Sequence, residues 1–258
     1  MIENHPKHWK DKLPRPDAEA HKYSRGQAVI LAAPDMVGAT VLAATACARI
    51  GAGIVRVVVA DDTAKAFYQT LMPSHIIVMT DFDVVYHKHT RAVLAGPGLN
   101  QGDELLDKLL VNKPENAMVI LDGGALSYVA QQGQLHDLDG TIITPHAGEY
   151  ERLFSDTVPN DAAATYQCLI VKKGHETMIT NGHDMIINRH ASPWLASAGT
   201  GDVLAGMITG LTAQGMDPMD ACAAAVWIHG EAGIQIGAGL VASDIPDCLG
   251  KIYAQLIQ

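Results

Sequence analysis

Short apolar, β-branched runs alternate along the chain with longer stretches in which apolar residues recur at helical spacing. Each run has the length of a strand and is bounded by Gly, Pro or Asp. The runs lie at 28–33, 54–60, 75–80, 91–96, 117–122, 140–145 and 168–173. Helical patterns between them include 39–53, 103–112 and 149–154. Strands that alternate with helices form a parallel sheet covered on both faces, so the pattern predicts a three-layer α/β/α sandwich.

The pattern changes after residue 173, where Asn181-Gly182 stands between two apolar runs. This dipeptide between strands is a strong hairpin signal, so we expect an antiparallel edge hairpin on a mostly parallel sheet.

Two helices are expected to close the chain. The first begins at Gly201-Asp202 and runs to about Gln214, and the second follows Asp217-Pro218, a typical N-cap and first helical residue.

The chain has 258 residues, of which 48% are hydrophobic and 18% are charged, which is typical of one compact domain. We predict an N-terminal arm over 1–25 and a single domain over 26–258. The polar start does not resemble a signal peptide, no apolar run reaches membrane-spanning length, and the four cysteines form no C-x-x-C pair. We therefore expect a cytoplasmic protein with reduced thiols and no membrane partner.

The formal net charge of −10 repels nucleic acid, which we exclude as a partner. A phosphate-bearing ligand must instead be held by local N–H groups, a helix dipole, a metal ion or a single lysine. The twelve histidines lie largely in polar stretches such as "HKH" at 87–89. We interpret them as surface residues and predict no metal site built from side chains.

The segment "SAGTGD" (197–202) carries the most specific chemistry. Its glycines allow successive N–H groups to point into one space, the helix that follows adds its positive end, and Asp202 lies beside them. Phosphoryl transfer needs such donors, together with a carboxylate that takes a proton from the attacking hydroxyl. The alternative is an aspartate that caps its own helix after a glycine turn.

Four other turns follow predicted strands, at the sheet edge where open α/β proteins bind ligands. They are "AGPGL" (95–99), "LDGGAL" (121–126), "TPHAGE" (144–149) and "KKGHET" (172–177). Each turn also has a purely structural interpretation. "AGPGL" would be a plain Gly-Pro turn, and Asp122 of "LDGGAL" either contacts a metal-linked water or caps the next helix. In the other two turns, His146 would cap a helix and the lysines would be solvated.

As an ordered set, these turns and "AGTGDVLAGMITGLTAQG" resemble the ADP- or ATP-dependent NAD(P)H-hydrate dehydratases of the ribokinase-like superfamily, over about residues 22–257. The most specific matches are "TPH-x-GE", "GTGDVL-x-G" and "HG-x-AG" (229–233). These lyases repair nicotinamide cofactors by removing water from hydrated NADH or NADPH at the expense of ATP or ADP. The resemblance implies a ribokinase-like fold, Mg²⁺ bridging the nucleotide phosphates, and a homo-oligomer, since similar proteins are often tetramers.

The resemblance also assigns roles to individual residues. Asp202 would be the catalytic base toward the ring hydroxyl. The nucleotide would be bound by Lys173, Gly174, His175, Glu176, Thr177, Gly199, Thr200 and Gly201. The hydrated dinucleotide would be bound by Ala39, Gly98, His146 and Asp202.

The chain departs from the family pattern at Pro34-Asp35 in the first turn, at Gly124 where a second acid is common, and at Trp194 before the glycine turn. Two alternatives use the same turn: a ribokinase-like kinase of a small hydroxymethyl compound, and a nucleotide-binding protein without catalysis. The "TPH" turn and "HGEAG" favour the dehydratase, and the retained Asp202 favours an enzyme.

Overall fold

The computed structural model describes residues 1–99 and 103–258. Ten strands form one sheet in the order β1-β10-β9-β8-β7-β6-β5-β2-β3-β4. In chain order the strands are β1 (Ile2–Glu3), β2 (Gln27–Leu31), β3 (Ile54–Val58), β4 (Ile77–Met79), β5 (Thr90–Ala95), β6 (Met118–Leu121), β7 (Thr141–Ile143), β8 (Leu169–Lys172), β9 (Thr177–Thr180) and β10 (Met185–Asn188). The seven strands predicted from apolar runs are all present.

The helices are α1 (Val37–Arg49), α2 (Asp62–Leu71), α3 (Glu104–Val111), α4 (Gly124–Gln132), α5 (Ala147–Phe154), α6 (Pro159–Tyr166), α7 (Thr200–Ala213), α8 (Pro218–Ile236) and α9 (Ile245–Leu256). The cap predicted at Asp217 is confirmed, because its side chain accepts from the backbone N–H groups of Met219 and Asp220. The expectation that two helices close the chain is wrong, since α9 follows them. The buried residues of α9, which include Ile245, Leu249 and Ile252, have helical spacing. The helix nevertheless follows a glycine-rich loop and contains an exposed glycine, Gly250, which weakens the helical signal.

The sheet separates two buried clusters, and the side chains of each central strand alternate between them. In β2, Ala28 and Ile30 lie in the cluster formed with α1, α7, α8 and α9. Val29 and Leu31 lie in the cluster formed with α3, α4, α5 and α6. The predicted three-layer sandwich is therefore confirmed.

Strands β2 to β8 pair in parallel, whereas β9 is antiparallel to both β8 and β10. The hairpin predicted at Asn181-Gly182 joins β9 to β10, and Gly182 has the positive φ of 90° that such a turn favours. The outermost position is taken by β1, which pairs in parallel with β10.

The first residues contact the domain closely. Trp9 is buried, and its indole N–H donates to Asn4, whose side-chain amide donates to Asn188 Oδ1 and to the carbonyl oxygen of Ala223. The boundary predicted at residues 25 and 26 stays a prediction. Among the helices of the described chain, none is long and apolar enough to cross a membrane.

Candidate active site

The glycine turn before α7 lines a cavity with Thr200 and Gly201, the first residues of the helix. Gly199 is the N-cap in the left-handed conformation, with φ 89°, and no side chain caps the helix. The Thr200 hydroxyl lies 2.7 Å from the carbonyl oxygen of Leu195 and 2.9 Å from that of Ser197, which holds the turn in shape. Asp202 lies in the first helical turn but does not cap it, so the capping alternative is wrong. The Thr200 N–H donates to the carbonyl oxygen of Ser197 at 3.4 Å, so the turn offers an anion the N–H of Gly201 and the helix dipole.

Lys173 and Asp122 form a buried ion pair beside this turn, with 2.7 Å between Nζ and Oδ1. Thr144 Oγ1 also donates to Asp122 Oδ1, at 2.7 Å. The expectation of a solvated lysine is wrong for Lys173, because its ammonium pairs with Asp122. The expectation that Asp122 caps the next helix is also wrong, since the N-cap of α4 is Gly123 and no side chain caps that helix. Burial acts to lower the pKa of Lys173, but the charge of Asp122 and its hydrogen bond outweigh burial and raise it. Lys173 is therefore a fixed cation.

The carboxylate of Asp202 is perturbed by the same cluster. Burial, with the negative charges of Asp122 and Glu149, raises its pKa to about 6, although Lys173 opposes the shift. A Cβ placed on Gly201 would lie 3.3 Å from Lys173 Nζ, so the ammonium group packs against the start of α7. A carboxyl group with a pKa near 6 is ionised at neutral pH and is still basic enough to accept a proton.

His146 follows β7 and caps α5, as its structural alternative predicted. Its Nδ1 accepts from the N–H groups of Gly148 and Glu149, and Glu149 Oε2 accepts from the His146 N–H. The side chain is nevertheless 57% exposed, so the cap does not prevent ligand contact. A backbone bridge between His146 and Lys173 places the ends of β7 and β8 side by side.

A cavity of about 680 Å³ extends from Lys173 and the glycine turn to an apolar wall formed by Leu195, Leu204 and Val226. Of the predicted nucleotide ligands, its lining includes Lys173, Gly174, His175, Thr177, Thr200 and Gly201. The structure places the other two elsewhere. Glu176 pairs with Arg189 at 2.8 Å, and Gly199 lies behind the turn, against Leu42 and Ala242.

Two predicted substrate ligands, Ala39 and Gly98, adjoin each other outside this cavity. Gly98 has φ 74°, and a Cβ placed on it would lie 3.1 Å from Ala39 Cβ and 2.9 Å from Ala33 Cβ. Glycine is therefore required at 98 by both backbone conformation and close packing.

Sequence reasoning gave no role to His229, which lines the cavity from α8 and is buried. Among the described residues its Nε2 has no hydrogen-bond partner. Burial lowers its pKa to about 4, so the ring is neutral at neutral pH. The motif "HG-x-AG" contains His229 and could have pointed to it. Its glycines are explained by close packing, since a Cβ on Gly230 would lie 1.9 Å from the His190 carbonyl oxygen and one on Gly233 would lie 2.6 Å from Leu195 Cγ.

The departure at Gly124 has a physical reason. A Cβ there would lie 1.8 Å from the carbonyl oxygen of Leu99, so no acid fits without a change in the backbone. Trp194 is half exposed, and Leu195 beside it lines the cavity.

A family model described as NAD(P)H-hydrate dehydratase matches residues 28–254. The chain belongs to this family. It is 33% identical over 230 residues to the ADP-dependent (S)-NAD(P)H-hydrate dehydratase of Listeria monocytogenes, which covers 84% of this chain and 82% of that protein. The family predicted from the ordered turns is thus confirmed.

Solved structures agree with this membership. The ADP/ATP-dependent NAD(P)H-hydrate dehydratase from Bacillus subtilis, co-crystallized with ATP/Mg²⁺, matches with a TM-score of 0.81 and 27% identity over 99% of this chain and 98% of that chain. A ribokinase-like superfamily protein from Enterococcus faecalis matches with a TM-score of 0.89 and 24% identity over 100% and 97%, which confirms the fold. The chain spans about half the length of other relatives, which are bifunctional NAD(P)H-hydrate repair enzymes.

Proposed function

We propose that the protein dehydrates hydrated NADH or NADPH by a nucleotide-dependent reaction in which Asp202 is the base. The observation that carries this proposal is the position of Asp202. Its carboxylate, with a pKa of about 6, lies at the start of an uncapped helix and beside a fixed lysine. This lysine and Gly201, the residue before Asp202, line a cavity large enough for a nucleotide.

The nucleotide half of the site is supported by the cavity lining. The N–H of Gly201 and the Lys173 ammonium would bind the phosphates of ADP or ATP. The base would pack on Leu195, Leu204 and the rest of the apolar wall. His229 at this wall is neutral, so it offers the nucleotide a polar contact without the free-energy cost of a buried charge.

Asp202 would accept the proton of the ring hydroxyl while that oxygen bonds to the terminal phosphorus of the nucleotide. The bond from this phosphorus to the bridging oxygen breaks, which leaves AMP from ADP or ADP from ATP. Phosphate then departs with the electrons of its carbon–oxygen bond as the ring nitrogen donates its lone pair. Loss of a proton from the adjacent ring carbon restores the dihydronicotinamide.

Mg²⁺ is part of the proposal because the charges of the site fit it. Three carboxylates, Asp122, Glu149 and Asp202, face the single ammonium of Lys173, so an incoming phosphate chain needs a further positive charge. In the described parts of the chain, no three His, Cys, Asp or Glu side chains form a group that could hold a metal ion. Mg²⁺ would therefore be held mainly by phosphate oxygens, where it would neutralise developing charge.

The test is to mix the protein with Mg²⁺, hydrated NADH or hydrated NADPH, and ADP or ATP in separate reactions, and to follow dihydronicotinamide absorbance. A nucleotide-dependent rise is expected and identifies the donor. No rise with any combination, in protein that binds ADP, contradicts the proposal and directs the search to hydroxymethyl substrates and a stable phosphate ester.

The homo-oligomer and the cytoplasmic location stay predictions. Large exposed side chains at Trp194, Ile234 and Val241 support self-association, because such groups are often covered in assemblies. Light scattering coupled to gel filtration tests for a tetramer.

A further inference from the structure

A second cavity, of about 340 Å³, lies at the carboxyl ends of β2 and β3 and has no role in the proposed chemistry. Its walls include the residues after these strands, one face of α2 and the start of α3. The lining residues used below are Ala33, Pro34, Asp61, Phe67, Tyr68 and Asp103. The Tyr68 hydroxyl donates to the carbonyl oxygen of Ala33, which fixes α2 against the end of β2.

This cavity is continuous with the predicted substrate contacts. Gly98 packs against both Ala39 and Ala33, and Ala33 lines the cavity. The strands run in the order β6-β5-β2-β3, with Asp122 following β6 and Asp61 following β3. Neighbouring strands lie about 4.8 Å apart, so this row of strand ends spans about 14 Å.

Asp202 is not among the described lining residues of either cavity, but the residue before it, Gly201, lines the larger one together with Lys173. The larger cavity is lined by residues at the ends of β8, β9 and β10 and would take the nucleotide. The rest of a dinucleotide whose ring is at Asp202 would then lie along the neighbouring strand ends of β5, β2 and β3.

We propose that the second cavity binds the adenosine half of the hydrated dinucleotide, and that it selects NADH hydrate over NADPH hydrate. The inference rests on the proposed function. The cavity volume is in the range of small-ligand sites. Phe67 lines it and is 52% exposed, so its ring is accessible to a purine that stacks on it.

The selectivity follows from the charges at the cavity. Asp61 accepts from the N–H of Ala64 at 2.8 Å, and Asp103 accepts from the N–H of Leu105 at 2.9 Å, so both carboxylates are held at helix starts on its wall. None of the described lining residues is Lys or Arg. Carboxylates accept hydrogen bonds from ribose hydroxyls and repel a 2′-phosphate, the group that distinguishes NADPH from NADH.

The first test is the ratio of kcat/KM for the two hydrates, which we expect to favour NADH hydrate by about tenfold or more. The double variant Asp61→Asn, Asp103→Asn should raise kcat/KM for NADPH hydrate and reduce the ratio, while asparagine preserves both helix caps. Asp217→Asn is the matched control, since Asp217 caps α8 and is not a lining residue of the cavity.

The second test is Phe67→Ala, which should lower kcat/KM for both hydrates about tenfold without changing the KM for ADP. Tyr23→Ala is the control, because Tyr23 is an exposed aromatic residue that precedes β2 and so belongs to the opposite end of that strand. Unchanged turnover of both hydrates by Phe67→Ala, or an NADPH hydrate preference in the wild type, overturns the inference.

Calorimetric titration of the ADP-saturated protein with NAD⁺ and NADP⁺ gives a readout independent of turnover. Tighter binding of NAD⁺ than of NADP⁺ by the wild type, with this preference lost in the Asp61→Asn, Asp103→Asn protein, supports the cavity assignment. Equal affinities of the wild type for the two ligands overturn it. If the wild type binds NAD⁺ selectively but dehydrates neither hydrate, the proposed function fails while the cavity assignment stands.

Discussion

At the scale of single residues, the site depends on the carboxylate of Asp202, whose pKa is raised by burial and by nearby negative charges. Asp122 and Glu149 raise the pKa of Asp202 and Lys173 limits the rise, so the balance among four side chains sets its basicity. The surroundings of Asp202 therefore suit proton transfer at the expense of stability.

The first prediction concerns pH. Since the base must be ionised, kcat/KM should be level above about pH 7 and fall about tenfold for each pH unit below 6. Initial rates at saturating nucleotide and low hydrate concentration measure this limb. A limb near pH 4, typical of an unperturbed carboxyl group, would mean that another group takes the proton.

The second prediction concerns the stability of Asp202→Asn. The folded-state pKa of about 6 exceeds the unfolded value of about 3.9, so ionisation is penalised in the folded protein. This penalty is absent below pH 4 and complete above pH 6. The variant should therefore gain up to about 3 kcal/mol of unfolding free energy at pH 8 and almost none at pH 4. Urea titrations at both values check this, with Asp217→Asn expected to stay within about 0.5 kcal/mol; a loss at pH 8 contradicts the assigned electrostatics.

The third prediction concerns Lys173→Ala. Removing the ammonium group leaves Asp122 buried without its partner, and it deprives the nucleotide phosphates of a fixed cation. ADP affinity should fall at least about tenfold, more than NAD⁺ affinity falls, and the acid limb should move to higher pH. Calorimetry with both ligands measures the difference. Lys172→Ala is the control, since Lys172 lies over the Tyr150 ring on another face, and equal losses for ADP and NAD⁺ in Lys173→Ala contradict the assignment.

Sequence could predict Asp202 and Lys173 because each lies in a short local motif. It could not predict that Asp122 pairs with Lys173, or that the His229 ring lines the same cavity, since these neighbours come from separate strands and helices. The predicted ligands Glu176 and Gly199 lie in the same turns as cavity-lining residues, but Glu176 pairs with Arg189 and Gly199 packs against Leu42. These partners lie far away in the chain, so the local motif does not predict them.

At the scale of elements, the wall of the nucleotide cavity is set by how closely α8 packs on the segment before α7. The fourth prediction is that Gly230→Ala displaces this wall, because the added Cβ would meet the His190 carbonyl oxygen at 1.9 Å. We expect a loss of about 1–3 kcal/mol of stability and weaker ADP binding.

Gly250→Ala in α9 is the matched control, since nothing lies within 4 Å of its added Cβ and alanine favours a helix. It should be neutral or slightly stabilising, with ADP binding unchanged. Equal effects of the two variants on unfolding and calorimetric titration contradict the packing argument.

Elements with one clear period were predictable, and elements with mixed signals were not. The buried strands read as continuous apolar runs because helices cover both faces of the sheet. Helix α9 has the right periodicity but is short and interrupted by glycine, so tertiary contacts with α1 and α8 stabilise it more than its own sequence does.

At the scale of the whole molecule, one sheet edge gathers residues that lie far apart in the chain. The carboxyl ends of β6, β7 and β8 carry Asp122, His146 and Lys173, and the start of α7 brings Asp202 above them. At the same sheet's outer edge, Asn4 reaches Asn188 across 184 residues, a contact that a polar N-terminal segment does not predict.

The central claim is that nucleotide cleavage and dehydration are one reaction at Asp202. The most direct measurement is the stoichiometry of ADP consumed, AMP formed, phosphate released and NADH regenerated, in the wild type and in Asp202→Asn. We predict one of each per turnover in the wild type, and no turnover in a variant that still binds ADP. NADH formed without nucleotide consumption, or undiminished turnover by Asp202→Asn, contradicts the account.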